Sequence, residues 1–188
     1  VSRRCWVGVF MGDLYTTITV LNKCLYSRIV AGPDTWLDFM AIRRDPMLGA
    51  LIGDIVGSIY EWDNHRSKVF PLFGPGCDYT DDSVCTVALA DALLSGADPS
   101  RHLQAWCRRH PGRGYGGMFA RWIDEPEPVA YNSFGNGAAM RVSPAGWLAD
   151  EATAVAALAD RITAITHDHP EGLKGAQIPP PDQRRSYN

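Results

Sequence analysis

An all-α fold is predicted for this chain by three observations. Apolar residues recur at helical spacing from Leu48 onward, capping and breaking residues bracket those stretches, and no strand pattern of comparable strength occurs after residue 47. The chain has 188 residues, 46% of them apolar and 21% charged, which is enough for one domain with a sizeable core and does not suggest disorder.

Residues 1–46 differ from the rest. They carry a β-flavoured stretch, Tyr15-Thr16-Thr17-Ile18-Thr19-Val20-Leu21, and end in Asp45-Pro46, without the alanine-rich helical periodicity seen later. We read them as an N-terminal extension of unassigned role, with a strand-containing cap as the alternative. From Leu48 to Tyr60 apolar residues fall at 48, 51, 52, 55, 56 and 59, the spacing of a buried helix face. Gly49, Gly53 and Gly57 share one stripe of that helix. Each glycine costs about 1 kcal/mol of helix stability relative to alanine, so the stripe is expected to serve close backbone approach, to a neighbouring helix before a ligand.

After the Pro- and Gly-rich Pro71 to Gly76, Thr80-Asp81-Asp82 starts a second helix carrying Val84, Val87, Ala88, Asp91 and Leu94 and stopping near Gly96. Pro99 begins a third, through Arg109. Pro111 to Gly117 is a glycine-rich loop, followed by a short helical piece with Met118, Phe119, Trp122 and Ile123. Asp150 to Thr166 repeats Val155, Leu158, Ala159, Ile162 and Ile165 and is the clearest amphipathic helix. Residues 178–188 hold three consecutive prolines and form an exposed tail.

Composition narrows the functional classes. A formal charge of −3, with acidic and basic residues mixed along the chain, offers no basic face for a nucleic-acid backbone. Five widely spaced cysteines without C-x-x-C argue against a disulfide framework and a zinc site, and fit reduced thiols in the cytoplasm. Arg3-Arg4 is not followed by the apolar run of a secretory signal, because Gly12-Asp13 breaks it. No stretch of about 18 apolar residues exists to span a membrane.

Four polar islands carry the candidate chemistry. Asp54 and Glu61 lie seven residues apart, so both can project from one side of the first helix; a buried hydrogen bond for Asp54 and simple solvation for Glu61 are the plainer readings. Thr80-Asp81-Asp82 is what a helix N-terminus prefers, yet two carboxylates and a hydroxyl are also hard oxygens of the kind Mg²⁺ or Mn²⁺ selects. Ser133-Phe134-Gly135-Asn136-Gly137-Ala138-Ala139-Met140-Arg141 joins two glycines, whose N–H groups can approach phosphate oxygens, to an arginine that can pair with an anion. A Gly-Asn-Gly turn with a capping Asn uses the same letters. His167-Asp168-His169-Pro170 lacks a third zinc ligand at a usual distance; a helix-terminal cap is its plain reading.

In identity, order and spacing the four islands resemble those of the ADP-ribosylglycohydrolase family over residues 47–177. The resemblance implies an orthogonal all-α bundle around a pair of Mg²⁺ ions, with Mn²⁺ as the alternative. It implies that Thr80, Asp81 and Asp82 are metal ligands and that Glu61 and Asp82 stand at the chemistry, Glu61 handling the leaving-group proton. Ser133, Gly135, Asn136, Gly137, Met140 and Arg141 would hold the diphosphate and ribose, and His167 would contact the ribose. The implied reaction cleaves the glycosidic bond of an ADP-ribosylated protein or a small ADP-ribose conjugate through an oxocarbenium-like state. The family's late Asp-x-Asp-Ser/Thr is absent: downstream of His169 the only carboxylates are Glu171 and Asp182. An incomplete domain is therefore expected, with weak Mg²⁺ binding, little turnover and apolar faces open to self-association. A non-catalytic ADP-ribose-binding remnant, or a gene product without function, is the other outcome.

Overall fold

The computed structural model describes residues 46–149 and 151–177. The β-flavoured stretch, the rest of the N-terminal extension through Asp45, and the Pro-rich tail lie outside the described residues. Within them the chain is helical and contains no strand, in agreement with the predicted fold class.

In order the helices are α1 (Pro46–Gly57), α2 (Asp81–Ser95), α3 (Pro99–Arg109), α4 (Gly117–Asp124), α5 (Gly137–Met140), α6 (Ser143–Leu148), α7 (Ala152–Thr163) and α8 (Pro170–Ala176). The centre is α2. Every residue from Ser83 to Ala90 is buried, so this helix is apolar nearly all round and is wrapped by α1, α3, α5 and α6. Its small Ala and Val side chains let those neighbours come close. It stops at Gly96, which takes φ 70 and returns its N–H to the Ala92 carbonyl.

Asp98 and Pro99 start α3: the Asp98 carboxylate accepts from Arg101 N–H at 2.8 Å, and proline gives up an N–H that has no helical partner. Leu103, Trp106 and Cys107 face α2, while Arg101, Arg108 and Arg109 face solvent. The buried Gln104 donates to the carbonyls of Trp122 and Glu125 at 2.8 and 2.9 Å, which ties α3 to the C-terminal end of α4.

Several boundaries differ from the sequence reading. The first helix tightens into a 3₁₀ turn at Ser58–Tyr60 instead of running on as α. The amphipathic helix covers Ala152–Thr163, because the N–H groups of both Thr166 and His167 fold back onto the Thr163 carbonyl, at 3.2 and 3.0 Å, and bury those two residues. The short α5, α6 and α8 carry too few residues to show a period. A Cβ built on Gly49, Gly53 or Gly57 meets nothing within 4 Å among the described residues, so the expected close helix approach is not made there. Large apolar side chains do stand in solvent, Trp62, Val69 and Phe134 most of all. None of the described helices is long and apolar enough to cross a membrane.

Candidate active site

The predicted site residues fall in two groups, one at the start of α2 and one in the loop before α5. At the first, Asp54 on α1 reaches across to α2. Its carboxylate accepts from the Thr80 N–H (2.9 Å) and hydroxyl (2.5 Å), and from the Ser83 N–H (3.1 Å) and hydroxyl (2.5 Å). An anion placed against the unsatisfied N–H groups and positive end of a helix is favoured there, and these charge-assisted bonds fix how α1 meets α2. Thr80 is also the N-cap, its hydroxyl oxygen accepting from Asp82 N–H at 3.3 Å.

With Asp54 holding the helix end, Asp81 and Asp82 follow in the first turn of α2, both half-buried. Burial, then the charges of Asp54, Asp81 and Glu61, push the Asp82 carboxyl up to about 7. Burial also raises Asp81, to about 6; Glu61 and Asp54 add to that, while its backbone hydrogen bond and Arg141 oppose it. Glu61 itself is exposed, one residue past the 3₁₀ turn, yet its charge is felt by both aspartates. The glycine-rich loop closes the near side. Asp81 N–H donates to the Arg113 carbonyl at 2.8 Å, and Gly114 (φ +94) brings its backbone so close that a Cβ would lie 3.4 Å from Asp81 Oδ1.

At the second group the chain runs past His167. Asn132 adopts φ 56 and its N–H donates to Asp168 Oδ1 at 2.6 Å; Ser133 N–H donates to the Thr166 carbonyl at 3.3 Å. Gly135 N–H then turns back to Ser133 Oγ, at 3.3 Å. Gly137 lies against the imidazole: a Cβ there would sit 3.1 Å from His167 Cε1. From behind, α8 presses on the same loop at Gly172, where a Cβ would meet the Ser133 carbonyl oxygen at 2.7 Å. Asn136 is exposed at the start of α5 and uses no side-chain cap bond, so the capping-Asn reading is not what the structure shows. His169, not His167, does the capping, accepting from Glu171 N–H at the start of α8.

Arg141 sits behind the loop, 1% exposed, where it was expected to face an anion. Its guanidinium donates to the Thr166 hydroxyl and lies 5.7 Å from the Phe119 ring centroid, and its charge reaches both Asp81 and His167. Burial depresses its own pKa. Met140 is half-buried, and its carbonyl accepts from the Thr86 hydroxyl at 3.4 Å, which ties α5 to the centre of α2. Sequence reasoning passed over Thr166 and Gly172. Only Gly172 had a visible signal, a glycine two residues after a helix-starting proline.

The donor set suits a hard divalent cation. Asp82 receives no hydrogen bond from any described side chain, and burial with the neighbouring carboxylates disfavours the charged form of both aspartates, Arg141 opposing this at Asp81. Among the described residues, however, no three His, Cys, Asp or Glu side chains come together around one point, so Asp81, Asp82 and the Thr80 hydroxyl could supply only part of a coordination shell.

A helical scaffold with crowded carboxylates at one helix start, a glycine and histidine loop, and a buried arginine whose charge reaches both is the class of protein that fold and site define. The sequence profile of the ADP-ribosylglycohydrolase family matches residues 43–178, and the chain belongs to that family. It is similar to "ADP-ribosylhydrolase ARH3" of Mus musculus and of Homo sapiens, 29% identical to each in an alignment that covers 71% of this chain. The chain spans about half the length of these curated relatives, 45% and 46% respectively.

Proposed function

We propose that this chain binds ADP-ribosylated substrates and takes part in hydrolysis of their glycosidic bond, with Mg²⁺ at Asp81 and Asp82. The observation that carries this reading is the pair of half-buried carboxylates at the start of α2, with the buried Arg141 close enough for its charge to reach both Asp81 and His167. When bound, the dication supplies Lewis acidity and orients the ribose hydroxyls. Asp81, Asp82 and the Thr80 hydroxyl hold it. The loop from Ser133 to Gly137 takes the diphosphate, with the exposed Asn136 as a side-chain donor; Gly135 N–H, donating to Ser133 Oγ at 3.3 Å, exchanges that long bond for a phosphate oxygen. Glu61, on the solvent side and close enough for its charge to be felt at Asp81, manages the proton of the leaving group.

A release assay for free ADP-ribose tests this. The purified chain is given arginine-, serine- and acetyl-linked ADP-ribose with Mg²⁺ or with a chelator, and release confined to the Mg²⁺ arm is expected. Metal-independent ADP-ribose binding without release favours the second reading, a binder that does not turn over.

A further inference from the structure

Arg141, Thr166 and His167 form a short buried hydrogen-bond chain that ends at the glycine loop. A guanidinium only donates, so its bond to Thr166 Oγ1 occupies a lone pair of that oxygen. The hydroxyl hydrogen then needs an acceptor of its own. Thr166 is 0% exposed, and among the described residues the one other side-chain partner of its Oγ1 is His167 Nδ1, at 2.7 Å. Buried hydroxyls are paired in the great majority of cases, so the hydrogen goes to Nδ1, which must be bare to take it. The proton of a neutral imidazole then sits on Nε2. That atom faces the loop: a Cβ would lie 3.3 Å from it on Gly137 and 4.0 Å on Gly135, and no described residue hydrogen-bonds it.

We infer that Arg141 and Thr166 are positioning residues that hold His167 in its Nε2–H tautomer, so that the imidazole offers a fixed donor, and never an acceptor, to a ligand in the Gly135–Gly137 loop. The ligand atom it takes is an acceptor oxygen of a sugar hydroxyl or a phosphate; that this oxygen belongs to ADP-ribose rests on the function proposed above. Burial and the neighbouring Arg141 cation keep the ring neutral, with its pKa pushed down to about 4. Imidazolium, whose Nδ1–H would strand the Thr166 hydroxyl hydrogen, is thereby excluded near neutral pH.

The test is nitrogen NMR of the imidazoles in the full chain, with the His167 signals identified by their loss in His167→Gln. The wild type is expected to show a protonated Nε2 and a bare Nδ1. Thr166→Val, which keeps the shape and removes the hydroxyl, is expected to give mixed tautomers, and Thr166→Ser to restore the single one. A proton on Nδ1 in the wild type, or an unchanged tautomer in Thr166→Val, overturns the inference. Titration with ADP-ribose separates this from the functional reading. Binding about tenfold weaker in Thr166→Val and recovered in Thr166→Ser supports the donor role. Equal binding in all three overturns it. Absence of binding by the wild type removes the ADP-ribose reading, and the tautomer is still decided by the spectra.

Discussion

Asp54 Oδ2 accepts from both the backbone N–H and the hydroxyl of Ser83, at 3.1 and 2.5 Å, so a side chain of α1 closes the first turn of α2. Because Oδ1 and Oδ2 also take the hydroxyl and N–H of Thr80, one carboxylate sets the register on which Asp81 and Asp82 depend.

Replacing Asp54 by alanine leaves those four donors without their acceptor. Hydrogen bonds to a charged group contribute about 1.5–3 kcal/mol each, but water replaces part of them at this half-buried site, so a net loss of about 2–4 kcal/mol is expected. Urea denaturation should show a lower midpoint with an unchanged slope. A midpoint equal to wild type would show that the clamp contributes nothing.

Raised carboxyl pKa values make stability depend on pH in a defined direction. The folded state holds protons on Asp81 and Asp82 that the unfolded chain, with carboxyls near 3.8, has released. Their stabilising effect is complete at low pH and disappears as pH rises through about 6 and about 7. His167, lowered from 6.5, acts the other way but only below that value. Between about pH 6.5 and pH 8 the metal-free protein should therefore lose thermal stability, and Mg²⁺ should raise Tm more at the upper end. Asp82→Asn should flatten both responses. A Mg²⁺ shift of the same size across the window would count against the aspartates as its ligands.

At Gly172 an alanine must push its methyl toward the Ser133 carbonyl, 2.7 Å away, and the obstacle is backbone. Gly172→Ala should displace the loop, lower Tm by several degrees and weaken ADP-ribose binding. Gly175→Ala on the same helix, with nothing within 4 Å among the described residues, is the control and should leave binding unchanged.

Glu61 is exposed and anchors no described hydrogen bond, so Glu61→Gln should fold as the wild type does. If it manages the leaving-group proton, turnover falls by about a hundredfold or more while ADP-ribose affinity stays within about threefold. Equal turnover removes Glu61 from the chemistry.

How much of this was legible in the sequence depended on the length of each element. The helix start at Thr80 and the stops at Gly96 and Arg109 could be read because cap, period and breaker agree there. Four-residue α5 and seven-residue α8 show no period, and their places are set by tertiary contacts with the His167 segment. The carboxylates Asp81 and Asp82 could be named only from the company of the four islands, since Thr-Asp-Asp by itself is what a helix N-terminus prefers. The direction of Arg141 could not, since an arginine after a glycine loop serves equally as an anion partner or as a buried donor; the Thr166 hydroxyl, distant in sequence, decides it. The glycine stripe of α1 promised a close approach that the described residues do not make, because a helical period records which face a residue lies on and not what stands opposite.

Where α8 meets Ser133, main chain rests on main chain, with no rotatable group between them. A wall of that kind cannot be retuned by exchanging one side chain for another. Variants selected for a different ligand should accordingly accumulate changes at the open front, at Phe134 and Asn136, and keep Gly172.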